Sequence, residues 1–171
     1  MCVMGWEGDL SGKAASSTAT DVIIQTVRSG KLSDSPLTVL QQAIKMANQA
    51  LISEIQKKPA LRGMGTTVTA LLINEYSAIA AYVGDSRIYQ FRRGHKKFRT
   101  FDHSMVFEMV RNGTINEEQA RLSEQSNMIT KALGANSDIE ADIVELPYEK
   151  GDRFMLCTDG IWGNVSGTEV D

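Results

Sequence analysis

The stretch from Thr66 to Phe101, TTVTALLINEYSAIAAYVGDSRIYQFRRGHKKFRTF, decides the fold of this chain. Apolar and β-branched residues repeat in it with the alternation of short strands and are interrupted by turn residues. The pattern predicts strands at residues 66–73, 77–83, 87–91 and 97–101. The connections Asn74-Glu75 and Arg93-Gly94-His95 have the length and composition of hairpin loops. The stretch is therefore predicted to form an antiparallel meander.

Two long helices are predicted ahead of this stretch. Residues 12–29 carry apolar side chains at helical spacing, and Gly30 follows as a stop signal. Ser35-Pro36 then provides an N-cap and a first-turn proline for a second apolar stripe, which Lys57-Lys58-Pro59 ends. The short connection between the two stripes predicts an antiparallel helix pair.

A small polar insertion and two further strands are predicted behind the meander. Ser104 can cap one short helix, and Asn116 with Gln119 has the spacing of a capping box for a second. Strands are predicted at residues 139–146 and 153–158. Helices gather early and strands later, so the fold class is α+β, with helices packed on an antiparallel sheet or sandwich.

Composition argues against several classes of function. The 171 residues make one domain by the usual prior, and a net charge of −3 argues against binding nucleic acid through phosphate contacts. The basic cluster at residues 92–97 is interpreted as a solvated hairpin tip. Cys2 and Cys157 cannot form a disulfide framework, so a reducing cytoplasm is the expected compartment. No apolar run reaches the roughly 20 residues that span a bilayer, and no signal peptide opens the chain, so we expect no membrane contact.

Two aspartates stand where an apolar strand has just ended. Asp85 lies in the turn Gly84-Asp85-Ser86-Arg87, and Asp159 lies in Thr158-Asp159-Gly160. The neighbouring glycines let the backbone turn sharply, so that both carboxylates can point into one polar site. Carboxylate oxygens suit hard divalent cations, which activate water for phosphoryl hydrolysis. Either aspartate alone is more simply explained as an ordinary turn residue, and only its combination with other motifs favours a metal site.

Other motifs accompany these two aspartates in a fixed order. The motifs are Gly65-Thr66-Thr67, Gly84-Asp85-Ser86-Arg87, Asp102-His103-Ser104, Thr130-Lys131-Ala132-Leu133-Gly134 and Thr158-Asp159-Gly160-Ile161-Trp162. In this order and spacing they resemble the PPM family of metal-dependent serine/threonine protein phosphatases, also called type 2C. The resemblance runs from about Gly12 to Trp162.

The resemblance implies a fold, a cofactor and a reaction. The fold would be an antiparallel β-sandwich flanked by antiparallel helix pairs, with two or three Mn²⁺ or Mg²⁺ ions at one end. A metal-activated water would hydrolyse phosphoserine and phosphothreonine in a phosphorylated protein substrate, which reverses serine/threonine kinase signalling. Asp159 would be a core metal ligand, Asp85 would help to hold an accessory metal, and residues 104–130 would form a flap beside the substrate groove. A monomer is favoured.

The sequence departs from the family pattern near Met4-Gly5. The family has a metal-bridging Asp-Gly pair there, whereas this chain has either Met4 in place of that Asp or no counterpart to it, and only the Gly5 backbone could contribute. Family segments at the N-terminus and the C-terminus, which carry a phosphate-binding Arg and another metal-binding Asp, also have no counterpart. Glu7 and Asp9 are near enough in sequence to substitute. We therefore expect a single phosphatase-like domain over residues 1–171 that lacks family segments. Either the natural enzyme has these segments and this sequence lacks them, or the chain is a catalytically degenerate module that binds a phosphoprotein without turnover.

Three further residues have two interpretations each. His103 could protonate the leaving alkoxide as a general acid, or it could bond the backbone at the start of the flap. Arg87 could contact phosphate or form a buried ion pair. Trp162 is interpreted as a core anchor rather than a surface for substrate.

Overall fold

Two antiparallel sheets stacked face to face form the centre of the computed structural model. The structure describes residues 2–3, 10–30, 35–123, 125 and 128–163, and of residues 2, 3, 10 and 11 it describes the backbone only. The first sheet has the strand order β1-β2-β3-β6, and the second has the order β5-β4-β7. The strands are β1 (Cys2–Val3), β2 (Val68–Ile73), β3 (Ala78–Val83), β4 (Arg87–Arg92), β5 (His95–Arg99), β6 (Asp142–Leu146) and β7 (Arg153–Cys157).

The predicted strands are confirmed with bounds that shift by up to three residues, and His95, predicted in a hairpin connection, begins β5. The prediction of one continuous meander is wrong. Strands β2 and β3 form a hairpin in the first sheet, and β4 and β5 form a hairpin in the second. The chain crosses from one sheet to the other between β3 and β4, at Gly84-Asp85-Ser86. A turn of this composition can either pair two strands or move the chain between layers, and only packing decides which.

Strand β3 shows why the sheets stack. All six of its residues are buried. Ile79, Ala81 and Val83 face the two long helices of residues 10–29 and 36–57, which together form the helical layer. Ala78 and Ala80 face the second sheet. A strand covered on both faces needs apolar residues at every position, which explains the sequence AIAAYV.

The two predicted long helices are confirmed as α1 (Leu10–Ser29) and α2 (Pro36–Lys57). They pack on the outer face of the first sheet around a core that includes Ala19, Ala43 and Leu51. Small residues at the contact let the helix axes approach closely. Among the described residues this is the one pair of long helices that flanks the sandwich.

The predicted insertion is confirmed as two short helices, α3 (Met105–Arg111) and α4 (Glu117–Leu122). Ser104 caps α3 by accepting a hydrogen bond from the Phe107 backbone N–H, and Asn116 with Gln119 closes the predicted capping box on α4. A last turn of helix, α5 (Asp159–Trp162), follows β7. Within the described ranges, no helix is both long enough and apolar enough to cross a membrane.

Candidate metal centre

The pairing of β4 with β7 brings the two predicted metal-binding aspartates to one end of the second sheet. The ladder of these strands ends at the pair Arg87 and Cys157. Asp85 lies two residues before Arg87, and Asp159 lies two residues after Cys157. Because the strands are antiparallel, both aspartates lie two positions beyond the last pair at the same end of the ladder. In an antiparallel ladder such positions are neighbours.

Both aspartates line one cleft of about 520 Å³. Thr66 and Thr67 line the same cleft. The remainder of the wall is formed by small or apolar residues and one arginine: Gly12, Ile55, Arg62, Gly63, Met64, Gly65, Ile129, Ala132, Gly134 and Ala135. A mixed cleft with two carboxylates in its wall has the character of a binding site.

The turn that carries Asp85 depends on Gly84. Gly84 adopts a φ of +102°, and a Cβ atom at this position would lie 2.4 Å from Cγ2 of Thr67. The backbone of Gly84 is bonded twice to His103, since its N–H donates to Nδ1 and its carbonyl accepts from the His103 N–H. A bond of 2.8 Å between the hydroxyls of Thr67 and Ser86 closes the turn. Asp85 is therefore presented on a backbone fixed from several sides.

The turn that carries Asp159 is the start of α5. Oδ1 of Asp159 accepts a hydrogen bond from the Gly160 N–H at 2.9 Å, and its carbonyl accepts one from the Gly163 N–H. The side chain is half-buried and borders the cleft. One carboxylate oxygen thus has a backbone partner, and the carboxylate remains within reach of the cleft.

Arg87 forms the buried ion pair that was one of its two interpretations. Its Nε and Nη2 donate to the two carboxylate oxygens of Asp102 at 2.8 and 2.6 Å. Burial opposes the charge of Arg87, but the hydrogen bonds and attraction of Asp102 hold its pKa above the ordinary value. Arg87 is not among the residues that line the cleft. Its guanidinium is therefore committed to the fold.

Trp162 is buried, as its interpretation as a core anchor requires. It is 7% exposed and packs with Tyr89 and Cys157. Burial raises the pKa of the Cys157 thiol, which keeps this cysteine in its protonated, unreactive form.

His103 is buried between the first sheet and the flap. Nδ1 accepts from the Gly84 N–H at 3.0 Å, so a neutral ring carries its proton on Nε2. Nε2 lies 3.4 Å from Oδ1 of Asp142, and the ring stacks on Tyr82. Burial and the nearby charge of Lys131 lower the pKa of His103. The ring does not line the cleft.

The donor set fits a hard divalent cation in chemistry and supplies part of a coordination shell. Carboxylate and hydroxyl oxygens are ligands that Mg²⁺ and Mn²⁺ accept. In the described ranges no three residues among His, Cys, Asp and Glu come together as a metal-binding group. The predicted contribution of the Gly5 backbone, and the candidate substitutes Glu7 and Asp9, lie outside the described residues.

Sequence reasoning missed one residue that shapes the cleft. Asn48, in the apolar stripe of α2, is 1% exposed. Its side chain accepts from the Gly134 N–H at 2.8 Å and donates to the carbonyls of Asn136 and Ser137. It thus attaches the cleft wall around Gly134 to the helical layer. An asparagine within an otherwise apolar helix stripe was the signal that could have found it.

Comparison with known proteins identifies the family. Residues 8–169 match the family model described as protein phosphatase 2C. The chain belongs to this family, which confirms the resemblance inferred from the ordered motifs.

Individual relatives agree with this assignment. The chain is 34% identical over 134 residues to the serine/threonine phosphatase stp of Listeria monocytogenes, and this match covers 78% of the chain and 53% of the relative. The chain therefore spans about half the length of the curated relatives it matches.

Solved structures share the fold. The serine/threonine phosphatase PstP/Ppp of Mycobacterium tuberculosis superimposes with a TM-score of 0.87 at 28% identity, covering 98% of this chain and 70% of that one. The catalytic domain of the serine/threonine phosphatase PstP in complex with two manganese ions superimposes with a TM-score of 0.81 at 29% identity, covering 98% and 69%. The predicted β-sandwich of the type 2C phosphatases is confirmed.

Proposed function

We propose that the protein hydrolyses phosphoserine and phosphothreonine in phosphorylated proteins and depends on Mn²⁺ or Mg²⁺. The observation that carries the proposal is that Asp85 and Asp159, from turns far apart in sequence, line the same cleft. Membership of the type 2C family and the manganese ions of a structural relative support the choice of reaction and metal. The physiological role would be to oppose serine/threonine kinases.

Several residues of the cleft have a part in this proposal. Asp159 and Asp85 would hold the metal through carboxylate oxygens, together with ligands from outside the described residues. When bound, the metal supplies Lewis-acid polarisation of the phosphoryl group and activation of water. Thr67 would hold the Asp85 turn in place through Ser86. The small residues around Gly65 and Gly134, which line the same cleft as the two aspartates, would leave room for a peptide backbone.

His103 is proposed to be a residue of the fold rather than the general acid. A general acid must reach the leaving oxygen directly or through one water. Nδ1 is already occupied by the Gly84 N–H, and the lowered pKa disfavours the protonated ring that would donate. Its contacts hold the start of the flap against the Asp85 turn.

The substitution Asp159→Asn tests the proposal. It removes a charge from the cleft and keeps the size of the side chain. Loss of a residue that only hydrogen-bonds a metal ligand weakens metal binding about 10–100-fold. Loss of a ligand carboxylate should therefore weaken Mn²⁺ binding by more than about 100-fold. Release of phosphate from a phosphothreonine peptide should fall with it, and EDTA should abolish release by the unmodified chain. Manganese binding is measured by calorimetry alongside the phosphate assay. Asp138→Asn, an exposed aspartate that does not line the cleft, is the matched control and should change neither quantity.

The outcome also separates the enzyme from the degenerate module. Phosphate release that requires manganese and is lost in Asp159→Asn supports the enzyme. Absence of turnover at every manganese concentration, with manganese binding equal in both proteins, would contradict it and leave a phosphoprotein-binding module.

The organisation and location of the protein are part of the same proposal. We expect one phosphatase-like domain over residues 1–171, a cytoplasmic location and a monomer. Light scattering on the purified chain measures its mass, and a mass of twice 18.8 kDa would contradict the monomer. Cell fractionation checks the compartment.

A further inference from the structure

The spacing of the two aspartates is not set by the strand ladder alone. Pairing of β4 with β7 ends at Arg87 and Cys157, and the chain leaves the ladder on both sides before it reaches Asp85 and Asp159. Beyond the last pair, backbone hydrogen bonds between these strands no longer fix the separation. A metal that uses both carboxylates needs them at a defined distance.

One hydrogen bond connects the two turns directly. Nε1 of Trp162 donates to the backbone carbonyl of Asp85 at 3.0 Å. Trp162 is the last residue of α5, the short helix that Asp159 begins. The bond therefore joins the peptide unit of one proposed ligand to the helical turn of the other.

The indole ring itself is held firmly. The guanidinium of Arg87 lies over it, with Cζ 3.6 Å from the ring centroid. Phe107 of the flap helix α3 meets the ring edge-on at 6.3 Å between centroids. Asp102 fixes Arg87 from the other side through two hydrogen bonds. A ring clamped in this way loses little further freedom when it donates its N–H, so its hydrogen bond can act as a spacer.

We propose that Trp162 is a positioning residue for metal binding, which holds the Asp159 turn at a fixed separation from the Asp85 turn through its indole N–H. This inference rests on the proposed function, since it takes both aspartates as metal ligands. It goes beyond a core-anchor role, because the group that accepts from the buried indole N–H is the peptide of Asp85 itself. It also gives the flap a role at the metal site, since Phe107 helps to hold the ring.

Trp162→Phe is the informative variant. It keeps an aromatic ring beneath Arg87 and removes the donor. The affinity for Mn²⁺, measured by calorimetry on the full chain, should fall about fivefold to tenfold, the factor expected for one net hydrogen bond.

Met155→Ala is the matched control. Met155 packs in the same cluster as Trp162 and makes no bond to the Asp85 turn. It should lower the melting temperature through lost packing and leave manganese affinity unchanged. If Trp162→Phe is too unstable to purify, Trp162→Leu, which also lacks a donor, is measured in its place, and its manganese affinity should fall in the same way.

The outcomes separate the positioning role from the proposed function. Manganese affinity that falls in Trp162→Phe and not in Met155→Ala supports the positioning role. If the unmodified chain and Trp162→Phe bind manganese with equal affinity, the positioning role is overturned and the proposed function stands. The same conclusion follows if the affinity falls equally in Trp162→Phe and Met155→Ala. Absence of manganese binding by the unmodified chain overturns both.

Discussion

At the scale of single residues, Gly84 is, among the glycines that the structure describes, the one where an added Cβ atom would make the shortest contact. Its φ of +102° lies where side chains are disfavoured, and Thr67 fills the space that a Cβ would need. Gly84 is therefore required both for its left-handed backbone conformation and for its lack of a side chain. Gly94, at the tip of the β4–β5 hairpin, also has a positive φ, of +81°, but a Cβ atom there would have open space within 4 Å.

The pair of variants Gly84→Ala and Gly94→Ala separates these two requirements. Gly94→Ala should lower the free energy of unfolding by about 1–2 kcal/mol, the penalty for a left-handed backbone. Gly84→Ala should lower it by about 2 kcal/mol more, because the methyl group also collides with Thr67. Urea denaturation followed by circular dichroism measures both values. Equal losses in the two variants would show that the close contact with Thr67 has no energetic weight.

At the scale of secondary-structure elements, Asn48 links α2 to the loop that forms one wall of the cleft. A buried amide that forms hydrogen bonds with three backbone groups should contribute more to the free energy of unfolding than an average polar contact. The same loop is tied to the segment just before β2 by the isolated bridge between Thr66 and Leu133. The cleft wall is thus held from the helical layer and from the first sheet.

Asn48→Ala should lower the free energy of unfolding by about 2–3 kcal/mol, since it leaves buried backbone groups without their partner. It should also speed hydrogen exchange at the Gly134 amide ahead of global unfolding. Gln49→Ala, on the exposed side of the same helix, is the control and should stay within about 0.5 kcal/mol of the unmodified chain. Exchange at Gly134 as slow as in the unmodified chain would argue against the attachment.

At the scale of the whole molecule, His103 makes stability depend on pH. Its neighbours are Asp142 near Nε2, Tyr82 against the ring face, Lys131 nearby and the Gly84 N–H at Nδ1. Burial and Lys131 lower its pKa in the folded state below the ordinary value of 6.5. Between these two pKa values the unfolded chain binds a proton that the folded chain does not, so folded stability decreases as the pH falls below 6.5.

The substitution His103→Asn should flatten this dependence, since the amide oxygen can still accept from Gly84 and does not titrate. Denaturant titrations at pH values from 7.5 down to 5 measure the slope for the unmodified chain and for the variant. His95→Asn, at an exposed site on the hairpin tip, is the control and should keep the slope of the unmodified chain. A slope that survives in His103→Asn would place its origin elsewhere.

How far the sequence predicts this molecule depends on the range of the interactions. The capping box at Asn116 and the tip at Gly94 rest on neighbouring residues, and both were predicted correctly. The crossing between sheets at Gly84 and the pairing of β4 with β7 depend on contacts far along the chain, which alternation alone does not encode. Asp85 and Asp159 could be singled out by their turns. The bonds that organise the cleft around them, from Trp162 and Asn48, are long-range and could not be predicted from local patterns.

The strand order has a consequence for the chain as it is synthesised. β3 finds its first neighbour, β2, at once, but its other edge pairs with β6, where Ala78 meets Leu146. Translation proceeds at roughly 5–20 residues per second, so that edge stays open for several seconds while the flap is being made. In the same way, one edge of β4 pairs early with β5, and its other edge stays unpaired until β7 has been synthesised. Open edges of apolar strands pair with other chains, and nascent copies are therefore most vulnerable to co-aggregation just before β6 and β7 emerge from the ribosome.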